Sequence, residues 1–282
     1  MKYIFTIATN VYTSYFENFK NSINNFYPGE DKTLIVFSNK LQEYNNWQIG
    51  NTKIEVISIP NLFYTSINLN KFNFIEWYAL NNNLDDDQLV FFFDIDTYFY
   101  HKTDYNFDNL NRIINYHQTS VIFSNHPFNL YIKQNNIAMY MHGYIYNKDF
   151  IDPIEPKIFS DYSFSEHNLW CQDCITSFFC GTIKSIKNLN TIFTNYYKDI
   201  IHSDRVIPQI CEEDIVNYIW IKQLLYQIQN QYIYVTDEPI ININANDIAN
   251  INKTSVFKGC DIDGSLLIVN QKYNVDIKNL VK

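Results

Sequence analysis

The chain has 282 residues, 46% of them hydrophobic and 18% charged, enough to bury one large α/β core or two small ones, which excludes a disordered polar segment. A formal net charge of −9 argues against the basic face that a nucleic-acid binder presents to phosphates, so no nucleic-acid partner is expected. No run approaches the roughly 18 apolar residues of a membrane span, and the five cysteines form no framework spacing.

Met1-Lys2-Tyr3-Ile4-Phe5 leads straight into an apolar run, too short for the core of a signal peptide. Together with the odd cysteine count, this gives the expectation of a cytoplasmic chain without a transmembrane anchor. Cys171 and Cys174 form a C-x-x-C, but a zinc site needs a second pair, so their placement reads as incidental.

Tyr3–Thr9 reads as a buried first strand. Tyr12, Phe16, Phe19, Ile23 and Phe26 then recur at helical spacing until Pro28-Gly29 stops them. Thr33–Ser38 and Lys53–Ile59 read as further buried strands. Phe72, Ile75, Tyr78 and Ala79 predict a helix, and Gln88–Phe93 a dense apolar strand. In the second half, Thr119–Ser124 reads as a strand and residues 129–163 as loop with short elements. Ser177–Gly181 reads as a strand end or turn, and Tyr232–Val235 as a late strand. Ile183–Ile201 and Asp214–Gln229 are predicted helices. Ile241–Lys282 is Asn-rich and shows no usable period. Strands alternating with helices argue an α/β class with a mostly parallel sheet, whose ligands bind beyond the carboxyl ends of the strands.

Such an end carries Asp94-Ile95-Asp96, directly after the apolar run Leu89–Phe93. Two carboxylates spaced i, i+2 at a strand end can share one cation with the phosphates of a ligand, the usual way in which Mn²⁺ or Mg²⁺ is held. A bare Asp-x-Asp is also common in solvated turns. The nucleophile motif of dehalogenase-like phosphatases, Asp-x-Asp-x-Thr or Val, is missed by one place, because Thr97 falls fourth and Tyr98 fifth.

More residues than the Asp pair line up with one family. Between about Ile4 and Pro239 the chain resembles glycosyltransferase family 6, which includes the histo-blood-group A and B transferases and the α1,3-galactosyltransferase. Ile7-Ala8-Thr9 with Tyr12 resembles the family's Phe-Ala-Ile-x-x-Tyr, where the first strand ends against uridine. Lys71, 23 residues before Asp94, falls where the family has a donor-binding Arg. Asn125-His126-Pro127-Phe128 resembles His-Pro-x-Phe, whose His contacts the acceptor galactose. Ser177-Phe178-Phe179-Cys180-Gly181-Thr182 resembles Phe-Phe-Gly-Gly-Ser, with Cys180 in place of one Gly. The positions that size the donor-sugar pocket in the family map to Ile175, Thr176 and Ser177. Glu212-Glu213-Asp214 with Asn217 and Tyr218 resembles Asp-Glu-Ser-x-x-Asn-x-Tyr. Counting back from Asn217 puts the family's catalytic Glu on Glu213 and its acceptor-binding Asp on Glu212; counting forward from Gly181 puts the catalytic Glu on Glu212. The nearer anchor favours Glu213.

The resemblance implies a single GT-A type catalytic domain, a Rossmann-like mixed sheet flanked by helices over residues 1–240, with a nucleotide-binding half (1–100) and an acceptor and catalytic half (119–240). It leaves 241–282 as a segment of unknown role. It implies a retaining enzyme that moves galactose or N-acetylgalactosamine from a UDP-sugar to a galactose-containing glycan, with an α1,3 link. Ile7, Ala8, Thr9, Tyr12, Lys71, Asp94, Asp96, Ser177, Cys180 and Gly181 would hold the donor. Asp94 and Asp96 would hold Mn²⁺ or Mg²⁺, His126 and Glu212 would bind the acceptor, and Glu213 would be catalytic. Two other readings are a glycogenin-like retaining transferase, whose usual C-terminal His-x-x-Gly-x-x-Lys-Pro-Trp is absent here, and a non-catalytic protein that binds a sugar nucleotide or carbohydrate.

Overall fold

The computed structural model describes residues 1–62, 64–101, 107–125, 174–202, 212–225, 231–236, 240–244 and 266–270. The first strand, β1 (Lys2–Ala8), is followed by a 3-10 turn over Asn10–Tyr15, a short α1 (Phe16–Ser22) and a second 3-10 turn over Ile23–Asn25. The helix expected from Tyr12 to Phe26 is therefore broken. Thr13 Oγ1 donates to the Asn10 carbonyl at 2.7 Å and Ser14 Oγ to that of Val11 at 2.8 Å, local bonds that compete with a regular helix start. The apolar spacing still holds, since Phe16, Phe19, Ile23 and Phe26 are all buried.

β2 (Lys32–Ser38), the two-residue β3 (Gln48–Ile49) and β4 (Thr52–Ser58) follow. Next come α2 (Tyr64–Leu69) and α3 (Lys71–Asn81), separated by Asn70, then β5 (Leu89–Phe93) and β6 (Thr97–His101). α4 (Asp108–Tyr116), β7 (Val121–Asn125), β8 (Cys174–Thr182), α5 (Ile183–His202) and α6 (Glu212–Leu225) continue the chain. β9 (Ile233–Thr236), β10 (Ile240–Asn244) and β11 (Leu266–Asn270) are the last described elements.

The main sheet has eight strands in the order β3-β4-β2-β1-β5-β8-β7-β9. β4, β2, β1 and β5 run parallel to one another, β3 runs antiparallel to β4, and β8 runs antiparallel to both β5 and β7. Strands from both predicted halves thus share one sheet, joined at the β5–β8 ladder. Period-two alternation along β5 explains its unbroken apolar run. Val90 and Phe92 face a core with α3, α5 and α6, while Phe91 and Phe93 face a second core with α1 and α4. Phe92 stacks on Phe179 with ring centroids 4.8 Å apart, and Phe93 packs on Phe178 at 4.9 Å, so the two Phe pairs zip β5 to β8 on both faces.

A second sheet orders β10-β11-β6, with β11 antiparallel to β6. The C-terminal segment, patternless in sequence, so contributes β11, paired to the strand that follows the Asp pair, and most of β10 beside it. Among the described residues, no helix is long and apolar enough to cross a membrane. The loop expected over 129–163 lies outside the described residues.

Candidate active site

β1 and β5 are adjacent and parallel, so their carboxyl ends open on the same edge of the sheet. Asp94 follows the last residue of β5. The Thr97 N–H donates to the Asp94 carbonyl at 3.0 Å, closing a turn over Asp94-Ile95-Asp96-Thr97. The Asp94 N–H donates to the Ser177 carbonyl at 2.9 Å, which ties this turn to β8. Asp96 and Ile95 are buried, while the Asp94 side chain is 31% exposed.

The turn forms one wall of an open cleft. Ile7, Thr9 and Tyr12 line it from the end of β1, and Ile67 and Asn68 from α2. Lys71, the first residue of α3, completes the lining with Asp94, Ile95 and Asp96.

Lys71 is the electrostatic centre of this arrangement. Its side chain is 2% exposed, and Nζ lies 2.9 Å from Asp94 Oδ1 and 2.6 Å from Glu212 Oε1. Burial alone pulls the ammonium pKa down, but Asp94 and then Glu212 outweigh it and hold Lys71 well above the ordinary lysine range. A cation at the start of α3 opposes the helix dipole, whereas Glu212 at the start of α6 complements its own. The two carboxylates supply what Lys71 lacks locally. Thr176 Oγ1 donates to the same Glu212 oxygen at 2.9 Å, while Glu212 Oε2 is sealed from solvent and has no hydrogen-bond partner among the described residues.

Asp94 and Glu212 set two carboxylates against the Lys71 ammonium, and Asp96 adds a third carboxylate to the lining of the cleft. Among the described residues no group of three His, Cys, Asp or Glu side chains converges as a complete metal cage. Two hard oxygen donors at i, i+2 nevertheless fit a cation that draws its other ligands from a phosphate group. Lys71 occupies one oxygen of Asp94, and the partly exposed carboxylate keeps a second.

Of the residues singled out from sequence, Ile7, Thr9, Tyr12, Lys71, Asp94 and Asp96 meet in this cleft. Ala8 does not line it; fully buried, it packs in the core with Ile4 and Phe91. Ser177 contributes through its carbonyl. Cys180 and Gly181 do not line the cleft either. The antiparallel register sets them opposite Phe91 and Val90, about 10 to 13 Å back along the strand from Asp94 at ~3.3 Å per residue. Cys180 is sealed in the core, where burial pushes its thiol far up in pKa. A Cβ on Gly181 would meet Ser185 Oγ at 2.5 Å and the Ser120 carbonyl at 3.3 Å, so close packing of α5 and β7 on β8 accounts for this glycine.

Glu212 is turned towards Lys71 and Thr176. Glu213 is the next residue of α6, but its side chain lies outside the described residues, as does all of His126. Cys171 lies outside them too. Cys174 is held by Asn217, which accepts from its N–H at 2.9 Å and donates to its carbonyl at 3.0 Å, clamping α6 to β8. The sequence reading passed over Ile67 and Asn68. They stand four and three residues before Lys71, a helical spacing that points to them once Lys71 is known.

The fold and cleft define a mixed α/β protein with a charged cleft at the carboxyl ends of its central strands. No protein-family model matches the chain, and no curated protein matches it.

Proposed function

We propose that the chain is a retaining glycosyltransferase of the GT-A type that uses Mn²⁺ or Mg²⁺. It moves galactose or N-acetylgalactosamine from a UDP-sugar to a galactose-containing glycan, forming an α1,3 link. The observation that carries the reading is Lys71, buried between Asp94 and Glu212 in a cleft that also holds Asp96. A fixed cation beside two strand-end carboxylates suits a ligand that brings both phosphate charge and its own divalent ion.

Asp94 and Asp96 would hold the divalent ion, which supplies Lewis-acid stabilisation to the leaving diphosphate. Tyr12 and the apolar Ile7 and Ile67 receive the base. Lys71 stays protonated, so it acts by charge on the departing UDP and does not deliver a proton. Glu212 and Asp94 fix the position of that charge. Glu213 is the carboxylate proposed beneath the anomeric carbon, and His126 the group that orients the acceptor. The bond from C1 to the diphosphate oxygen breaks, the bond from C1 to the acceptor oxygen forms, and the hydroxyl proton leaves with the products.

The test is a panel of UDP-sugars with galactose- and lactose-type acceptors, with and without Mn²⁺, reading released UDP. UDP-galactose or UDP-N-acetylgalactosamine should release UDP only with metal, and faster with acceptor. Tight UDP binding with no turnover on any pair would make the chain a sugar-nucleotide-binding protein instead.

A further inference from the structure

Asn68 is a polar residue that nothing above uses. It lies in the last turn of α2, is 7% exposed and lines the cleft. Its carboxamide makes no hydrogen bond with the described residues. Unlike the sealed, unpartnered polar atoms among the described residues, Thr6 Oγ1, Asn190 Oδ1, Glu212 Oε2 and Trp220 Nε1, its amide atoms are not sealed from solvent. A buried side chain whose polar atoms are unpaired yet not sealed presents them to the cleft it lines. Water can satisfy such an amide, so a ligand that displaces that water must supply hydrogen bonds in its place.

The lining of the cleft combines apolar and aromatic groups, Ile7, Tyr12 and Ile67, with charged ones, Lys71, Asp94 and Asp96. Asn68 stands between the two kinds in the chain, directly after Ile67 and three residues before Lys71. In a nucleoside diphosphate, the ribose joins the base to the phosphates. Its vicinal 2′- and 3′-hydroxyls offer a donor and an acceptor side by side. A carboxamide is the complement, since its oxygen accepts from one hydroxyl while its NH₂ donates to the other.

We infer that Asn68 reads the ribose diol of the nucleotide and selects ribonucleoside over deoxyribonucleoside diphosphates. This rests on the nucleotide-sugar reading above and adds a positioning and specificity residue to it. A deoxy ligand would leave the buried amide unpaired, a defect that a hydrogen-bonding site penalises strongly.

The experiment is calorimetric titration, with Mn²⁺ present, of UDP, 2′-deoxy-UDP and 3′-deoxy-UDP into the wild-type chain and into Asn68→Leu and Asn68→Asp. Both variants keep the side-chain volume, and a thermal melt checks that they fold. The wild type should prefer UDP over at least one deoxy analogue by about tenfold or more. Asn68→Leu should bind UDP about tenfold more weakly and treat the three ligands alike. Asn68→Asp, which keeps the acceptor and loses the donor, should fall between. UDP binding with no discrimination in the wild type, or discrimination that persists in Asn68→Leu, overturns the role of Asn68 and leaves the glycosyltransferase reading standing. No UDP binding by the wild type overturns both.

Discussion

Replacing Lys71 by Met tests whether the cleft is organised around a buried charge. Met preserves the length of the side chain against the Phe92 ring, which lies 5.2 Å from Nζ, and removes only the ammonium. The damage should be unequal. Asp94, at 31% side-chain exposure, can rehydrate, but Glu212, at 5%, keeps only the Thr176 hydroxyl among the described residues. Breaking a buried pair from one side costs about 3–5 kcal/mol, because the stranded charge has no compensation. That is a large part of the ~5–15 kcal/mol that holds a typical domain together. The assay is urea unfolding followed by far-UV circular dichroism on Lys71→Met, Glu212→Gln and the double variant. The double variant should recover about 2 kcal/mol relative to the sum of the singles, the coupling expected for contacting residues. A loss under about 1 kcal/mol, or strictly additive variants, would refute the idea that Lys71 is fixed by these two carboxylates.

Other consequences can be checked separately. In the wild type, Lys71 is held protonated above its ordinary range, so its contribution is intact below about pH 10 and lost only as the pH rises through the elevated folded value; alkaline unfolding of wild type against Lys71→Met reads this. Gly181→Ala should cost about 1–3 kcal/mol through the Ser185 clash and leave UDP affinity unchanged, with Ser185→Ala restoring part of the loss in urea melts. Glu213→Gln should cut UDP-sugar turnover by about two orders of magnitude or more while UDP still binds; if only Glu212→Gln does so, the catalytic assignment moves by one residue. Burial lowers the His117 pKa, so the unfolded chain takes up its proton first and stability falls as the pH drops through ~6.5; His117→Phe should remove that component of the acid slope in a thermal-melt series.

The Asp-x-Asp turn was legible because a five-residue apolar strand can end in charge only where it leaves the core, and β5 does so at Asp94. The parallel centre of the sheet was legible for the same reason, since continuous apolar runs such as β2 are buried on both faces. Lys71 stood out by its distance from Asp94 in a family pattern, yet no local signal gives its pairing with Glu212, which closes over 141 residues. Asn68 was hidden by the break at Asn70, which separates α2 from α3 and obscures their common spacing. Cys180 and Gly181 mark a tightly packed strand, and only the antiparallel register of β8 shows that they lie towards the end away from the Asp pair. β10 contains an Ile–Asn alternation within an Asn-rich tract, and the pairing of its neighbour β11 with β6 spans most of the chain, so nothing local announces it.

The central claim is that Asp94 and Asp96 make a metal site completed by a nucleotide diphosphate. The most direct measurement is the electron paramagnetic resonance signal of free Mn²⁺ during titration with UDP, in the wild type and in Asp94→Asn/Asp96→Asn. In the wild type the free-ion signal should fall steeply once UDP is present, well beyond what UDP alone removes. The double variant should remove no more than UDP does by itself. Equal uptake of Mn²⁺ and UDP by both proteins would contradict the account.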